Sequence, residues 1–187
     1  MMPDDTNAYA GQLADLFTRV AAEVLGGEVL RRVSDGILTP ALLSVLECVH
    51  RRGTCGVGEV ACYLGISSAA ASQLARRLED GGLLARGEDA RDRRRSPLRV
   101  TASGERLVRA AARVRAERLE SILSRMEAAS RRAFVRGVEA FLAHAIEEAD
   151  TIERLCGRCR IPHSDECVVS RVAVLLTGED VSREKRS

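Results

Sequence analysis

Apolar residues return at the helical interval over most of this chain, and the places where the interval breaks divide it into elements. From Tyr9 the stripe runs through Leu13, Leu16, Phe17, Val20, Ala21 and Val24, so residues 7–25 are expected to form an amphipathic helix. Gly26-Gly27 is expected to interrupt it, with "EVLRRV" resuming a short helical stretch. "LTPALLSVLECVH" places Thr39 as N-cap and Pro40 at the first helical position, where a missing N–H does no harm. "RRGT" ends that helix, and "GEVACYLGI" reads as a short one finishing near Gly65. After a tight turn capped by Ser67 or Ser68, "SSAAASQLARRLEDGGLL" buries Ala71, Leu74, Ala75 and Leu78 and stops at Gly81-Gly82.

"LLARG" and "PLRVT" then read as two short strands, joined by the polar stretch "EDARDRRRS", which makes a β-hairpin with a charged tip. Thr101 caps a long helix to about Met126, with Leu107, Ala111, Val114, Leu119, Ile122 and Met126 on one face. A further helix is expected from about Arg131 to Leu155, turning Phe134, Val138, Phe141, Ala145, Ala149 and Ile152 inward. The fold class is mainly α, an α+β winged helix-turn-helix with long flanking helices. Those helices carry apolar faces too long to bury against so small a centre, and a second copy of the same chain is their natural partner. The expected division is 1–38 and 102–155 for dimerisation, 39–101 for DNA binding, and 156–187 for a cysteine-rich tail.

Two helices joined by a tight turn, the second polar on its outer side, form a helix-turn-helix whose second member can enter the major groove of DNA. Ser68, Ala69, Ser72, Gln73, Arg76 and Arg77 lie off the apolar stripe and are expected to face outward. Gln can bridge the N6 and N7 of adenine, Ser can donate or accept, Ala can pack on a thymine methyl, and Arg reaches phosphates or guanine. The hairpin holds Arg86, Arg91, Arg93, Arg94, Arg95 and Arg99 against Glu88, Asp89 and Asp92. An arginine-rich loop of that size fits a minor groove, whose negative potential attracts guanidinium groups.

The overall charge of +2 would not by itself announce a nucleic-acid partner. The kind of cation says more, because Lys185 is the only lysine and every other basic side chain is the planar fork of Arg. The acidic start "MMPDDTNAY" lacks the apolar core of a secretory signal, and no run is long enough to span a bilayer. A cytoplasmic protein with no membrane partner is the expectation. Six cysteines in that reducing compartment point to metal, redox chemistry or plain burial before disulfides.

"LTPALLSVLECV", "GEVACYLGISSAAASQLARRLEDGGLLAR" and "DARDRRRSPLRVTASGERL" together resemble the MarR family of bacterial winged-helix transcriptional regulators, over about residues 9–155. The most specific part is Asp92-Arg93-Arg94 followed by Val100-Thr101 and Gly104. The resemblance implies a homodimer on a palindromic double-stranded operator, most often a repressor, released by a small ligand or an oxidant. It implies that Arg94 is the wing-tip arginine of the minor groove and that Asp92 holds the tip in shape. Val60 and Val100 stand where Leu is usual, and Ala69 and Ala70 replace more polar residues, which shifts base reading toward Gln73 and Arg77.

The tail lies beyond that pattern. "CGRCRIPHSDEC" sets Cys156, Cys159, His163 and Cys167 in a C-x2-C-x3-H-x3-C spacing. Three thiolates and an imidazole suit a closed tetrahedral zinc, a structural clip that folds the amphipathic "VVSRVAVLL" back onto the helices. An iron–sulfur cluster, which would make a redox sensor, and metal-free thiols are the alternatives. A catalytic zinc needs an open position beside a general base, and Asp165 and Glu166 are poorly placed for that. Cys48, Cys55 and Cys62 recur every seven residues. Cys48 fits a buried helix position, while Cys55, among glycines, is expected to be the most exposed and the best redox thiol. His50 and His144 stand isolated. The expected activity is DNA-binding transcriptional regulation without catalysis, set against a zinc enzyme or a metal-stabilised protein adaptor.

Overall fold

The structure is a computed structural model, and it describes residues 5–34, 36, 38–87, 96–148, 151–152, 155 and 167–178. Helix α1 (Asp5–Ala22) runs without a break into a π-helical turn, Glu23–Gly27, and on into α2 (Glu28–Ser34). The expected interruption at Gly26-Gly27 does not occur. Both glycines stay helical, and the Glu28 N–H reaches back five residues to the Glu23 carbonyl.

The centre follows the sequence closely. Helix α3 (Pro40–Arg52) starts where the Thr39 hydroxyl accepts the Leu42 N–H at 3.3 Å, and stops at Gly53, φ +73°. Helix α4 (Val57–Leu64) opens with the Gly56 N–H donating to the Glu59 carboxylate at 2.7 Å. Gly65, in the left-handed conformation, ends it with its N–H on the Cys62 carbonyl. Ser67 then caps α5 (Ser68–Asp80) by accepting the Ala70 N–H at 3.1 Å. Strands β1 (Leu84–Arg86) and β2 (Leu98–Val100) pair antiparallel, Leu84 opposite Val100 and Arg86 opposite Leu98. Cys55 adds one further bridge to Leu98 on the other side of β2.

One continuous core joins these pieces. Val29, Leu42, Leu46, Val49, Val60, Ala71, Leu78 and Leu98 meet in it, with Val108 and Ala111 of α6 (Ala102–Ser124) closing one side. Helix α6 enters through a tight junction. The Thr101 hydroxyl donates to the Gly82 carbonyl at 2.7 Å and accepts the Gly104 N–H at 3.1 Å. A methyl group at Gly104 would collide with the Leu83 carbonyl and lie 2.7 Å from Val100, so only a hydrogen lets α6 approach the wing base this closely.

Outside this core the apolar residues change character. Tyr9, Leu13, Leu16, Phe17 and Val20 of α1 are exposed, as are Leu119 of α6 and Val135 and Phe141 of α7 (Ala128–Ala145). Phe141 is 67% exposed. The expected helix to Leu155 ends earlier than its apolar interval does. Ile146 turns to extended backbone, and its side chain joins Ile152, Val172 and Ala173 in a second small cluster. That cluster docks helix α8 (Val168–Thr177) on α7, where Arg171 also meets Glu139 at 3.3 Å. Among the described residues, no helix is long and apolar enough to cross a membrane.

Candidate nucleic-acid interface

The helix-turn-helix is α4, the turn at Gly65–Ser67, and α5. Amphipathicity decides which way α5 faces. Ala71, Ala75 and Leu78 are buried and Leu74 half-buried, so the opposite side must meet solvent. Ser68, Ala69, Ser72, Gln73, Arg76 and Arg77 are all exposed, as the sequence implies, and they form one surface. The side chains nearest the start of α5 are short, which leaves Gln73, Arg76 and Arg77 as its reaching groups.

The wing stem stands beside this helix. Leu84 and Leu98 point into the core while Arg86 and Arg99 point out. Arg86 is held by Glu79 of α5 at 2.7 Å, which ties the stem to the end of α5. Arg91, Asp92, Arg93, Arg94 and Arg95, expected at the wing tip, lie outside the described residues. Cys156, Cys159 and His163 lie outside them too, whereas Cys167 directly precedes α8. Among the described residues no cluster of three or more metal-binding side chains forms.

Cys55 is where the sequence reading fails. Instead of being the most exposed of its set it is 2% exposed, because its main chain is bonded to Leu98 on both sides, N–H to carbonyl at 3.3 Å and carbonyl to N–H at 2.8 Å. Cys48 is fully buried, as expected. The exposed member of the three is Cys62. The hydrogen bond from Cys55 draws the Cys48 thiol down to about 7, helped by Arg51 and Arg52 against the opposing effect of burial. As donor in the same bond, and desolvated, Cys55 is pushed up.

A second polar device was not anticipated. Glu47, buried in α3, meets Arg115 of α6 at 3.4 Å, and the Arg115 Nε donates to the Leu25 carbonyl in the π turn at 3.1 Å. Arg118 reaches Glu28 at 3.0 Å in the same region. These contacts tie α6, α3, α2 and the π turn together, so the winged-helix centre and the outer helices share one polar network. Beside them lies a cavity of about 400 Å³ lined by Leu25, Leu30, Leu43, Glu47 and Arg115. The only sequence signal was weak, an acid within an otherwise apolar helix face.

The MarR family model matches residues 38–96. Solved structures of the same fold include RV1404 from Mycobacterium tuberculosis, 21% identical, covering 79% of this chain and 99% of that one with a TM-score of 0.68. YusO from Bacillus subtilis is 27% identical, with coverage of 76% and 99% and a TM-score of 0.60. FabT from Streptococcus pneumoniae, solved in complex with DNA, is 18% identical, with coverage of 75% and 96% and a TM-score of 0.62. No curated protein matches the chain. The matched segment takes in the helix-turn-helix and the wing as far as residue 96, before β2, and the flanking helices continue the fold of these solved structures: the centre of this chain matches the MarR family.

Proposed function

We propose that the chain acts as a homodimer that binds a palindromic stretch of double-stranded DNA and represses transcription by occupying it. The observation that carries this reading is the outer face of α5, where six groove-compatible side chains are exposed together above a buried apolar stripe. FabT, solved with DNA, and MepR of S. aureus, solved with an oligodeoxyribonucleotide, lend it support as proteins of the same fold. The exposed apolar stripe of α1 supports the dimer, since a second copy would cover it. Arg91 and Arg93 to Arg95 enter the minor groove in this reading, with Asp92 holding the tip. A small effector would take the cavity beside Glu47 and Arg115, at the junction between the dimer helices and the DNA-facing centre.

Cys156, Cys159, His163 and Cys167 hold one metal per chain in the same proposal, with zinc as the closed structural clip. The donor set suits zinc, and the docking of α8 immediately after Cys167 is where such a clip would act. An iron–sulfur cluster on the same residues is the second reading, favoured by the three thiols. Colour separates the two, because zinc protein is colourless and iron–sulfur protein brown.

The DNA reading is tested by substitution on α5 and the wing. Gln73→Ala should change the bases preferred in a randomised-site selection, because Gln reads an adenine edge. Arg76→Ala should instead weaken binding to all sequences and flatten its salt dependence. Arg94→Ala should cost about 1–3 kcal/mol of operator affinity in a gel-shift titration, the scale of a good groove contact. An unaltered site preference for Gln73→Ala, with full affinity for Arg94→Ala, would remove α5 and the wing from the interface.

A further inference from the structure

Helix α6 runs for 23 residues, about 34 Å, and its buried residues lie in its first half. Gly104, Val108 and Ala111 are buried there, while Leu119 is 40% exposed. The change comes at Arg115 and Arg118. One guanidinium spans two elements at that point. The Arg115 Nε donates to the Leu25 carbonyl at 3.1 Å, and both its terminal nitrogens reach one Glu47 oxygen, at 3.4 and 3.5 Å. Arg118, three residues on, meets Glu28 of α2 at 3.0 Å. The planar fork of Arg fixes direction as well as distance, which an ammonium on a flexible stem does not. Glu47 is 4% exposed, so salt screens this pair far less than a surface pair of the same helix such as Arg109 with Glu105.

A buried ion pair is a poor source of stability, because apolar residues of similar volume often do as well. What it supplies is a fixed arrangement, and here that is the angle at which α6 leaves the winged helix. We propose that Arg115, with Arg118, is a positioning residue that sets the distance between the two α5 helices of the dimer, and so the central spacer of the operator. The inference rests on the DNA-binding dimer proposed above.

The leverage is large on the scale of DNA. Thr101, where α6 meets the wing stem, lies fourteen residues or about 21 Å from Arg115. A tilt of about 10° at Arg115 moves that point by about 3.6 Å, close to the roughly 3.4 Å rise of one base pair. Two-fold symmetry applies the same tilt to the second protomer. The π turn that Arg115 holds also carries α1, so the same contacts orient the stripe from Tyr9 to Val20 on which the dimer closes. One base pair turns a half-site by about 35° around the duplex, since about 10 make a full turn. A dimer whose α6 angle is fixed therefore fits one spacer. One whose angle is loose fits the neighbouring spacers too.

The test varies operator length at constant half-site sequence, with the full chain. Wild type first selects its half-sites from randomised DNA, and duplexes are then made with the central spacer lengthened or shortened by one or two base pairs. Wild type should prefer one spacer and lose about tenfold or more in affinity at a change of one base pair, the low end of what deforming a site costs. Glu47→Leu combined with Arg115→Met removes both charges at similar volume, so neither is left buried alone. This variant should bind the neighbouring spacers within about threefold of the best one, with its base preference inside the half-site unchanged. A role in folding alone would weaken all spacers together at constant ratios, and that result would overturn the proposal. Arg118→Gln breaks the contact to Glu28 and leaves the buried pair, and it should relax the spacing in the same direction. It decides the matter if the double variant does not fold. Arg109→Ala, on the exposed side of α6, should keep the spacing sharp, and relaxed spacing there would overturn the assignment to Arg115. If wild type selects no DNA, the DNA-binding reading falls and this inference with it. A wild type indifferent to spacing, or variants as sharp as wild type, overturns this inference alone.

Discussion

Leu16→Glu should leave this protein monomeric. Leu16 is 56% exposed in a single copy and lies in the middle of the α1 stripe formed with Leu13, Phe17 and Val20. In the proposed dimer a two-fold axis brings the same patch from each chain, so one substitution places two carboxylates in an apolar contact. Each would have to give up water without a partner, at an effective cost of several kcal/mol. The dimer dissociation constant should therefore rise by about a thousandfold or more, equivalent to roughly 4 kcal/mol. Sedimentation equilibrium reads this directly. The far-ultraviolet circular dichroism should stay helical, because the new charge meets solvent in the monomer. A dimer of undiminished strength would place the two-fold contact elsewhere.

Cys159→Ser should abolish metal binding and, through it, loosen the end of the molecule. Helix α8 rests on a small cluster of Ile146, Ile152, Val172 and Ala173, and it is too short to be stable as a free helix. A structural zinc can supply on the order of 10 kcal/mol in small peptides, far more than so small a cluster. The variant should contain no zinc by elemental analysis, melt earlier than wild type, and dimerise more weakly, with DNA affinity falling only as dimers are lost. The end of α8 carries Val174, Leu175 and Leu176 exposed, Leu175 at 83%, so its release would disturb an apolar surface next to α7. Retained metal in the variant, or a chelated wild type with unchanged melting and dimerisation, would remove the clip.

The elements read most easily from sequence are those whose ends are set locally. Thr39-Pro40, Gly65, Ser67 and Thr101 each act through bonds a few residues away, and each marks a helix end where the sequence implied one. The outward face of α5 was legible for a related reason, since a buried stripe fixes its opposite. What failed was set at long range. Gly26-Gly27 remains helical in a segment that Arg115, far along the chain, holds by the Leu25 carbonyl. Ala149 and Ile152 continue an apolar interval, but Ile146 leaves the helix to join a cluster with α8. Cys55 looks exposed among glycines, and its burial comes from pairing with Leu98. The wing tip and most of the cysteine cluster fall outside the described residues, so those expectations stand as proposals.

The π turn at Glu23–Gly27 bears on how this chain can change length. A π turn accommodates one residue more than an α turn. Deleting one residue there would restore a plain α-helix and leave the facing of α1 relative to α2 nearly unchanged, because the wider turn already absorbs the extra residue. Deleting a residue within α1 itself would instead swing the part of the stripe before it by about 100° relative to the core around Val29 and Leu30. By contrast, a side chain at Gly26 would meet nothing within 4 Å. The π turn is therefore the place where this long helix best tolerates both a change of residue and the loss of one.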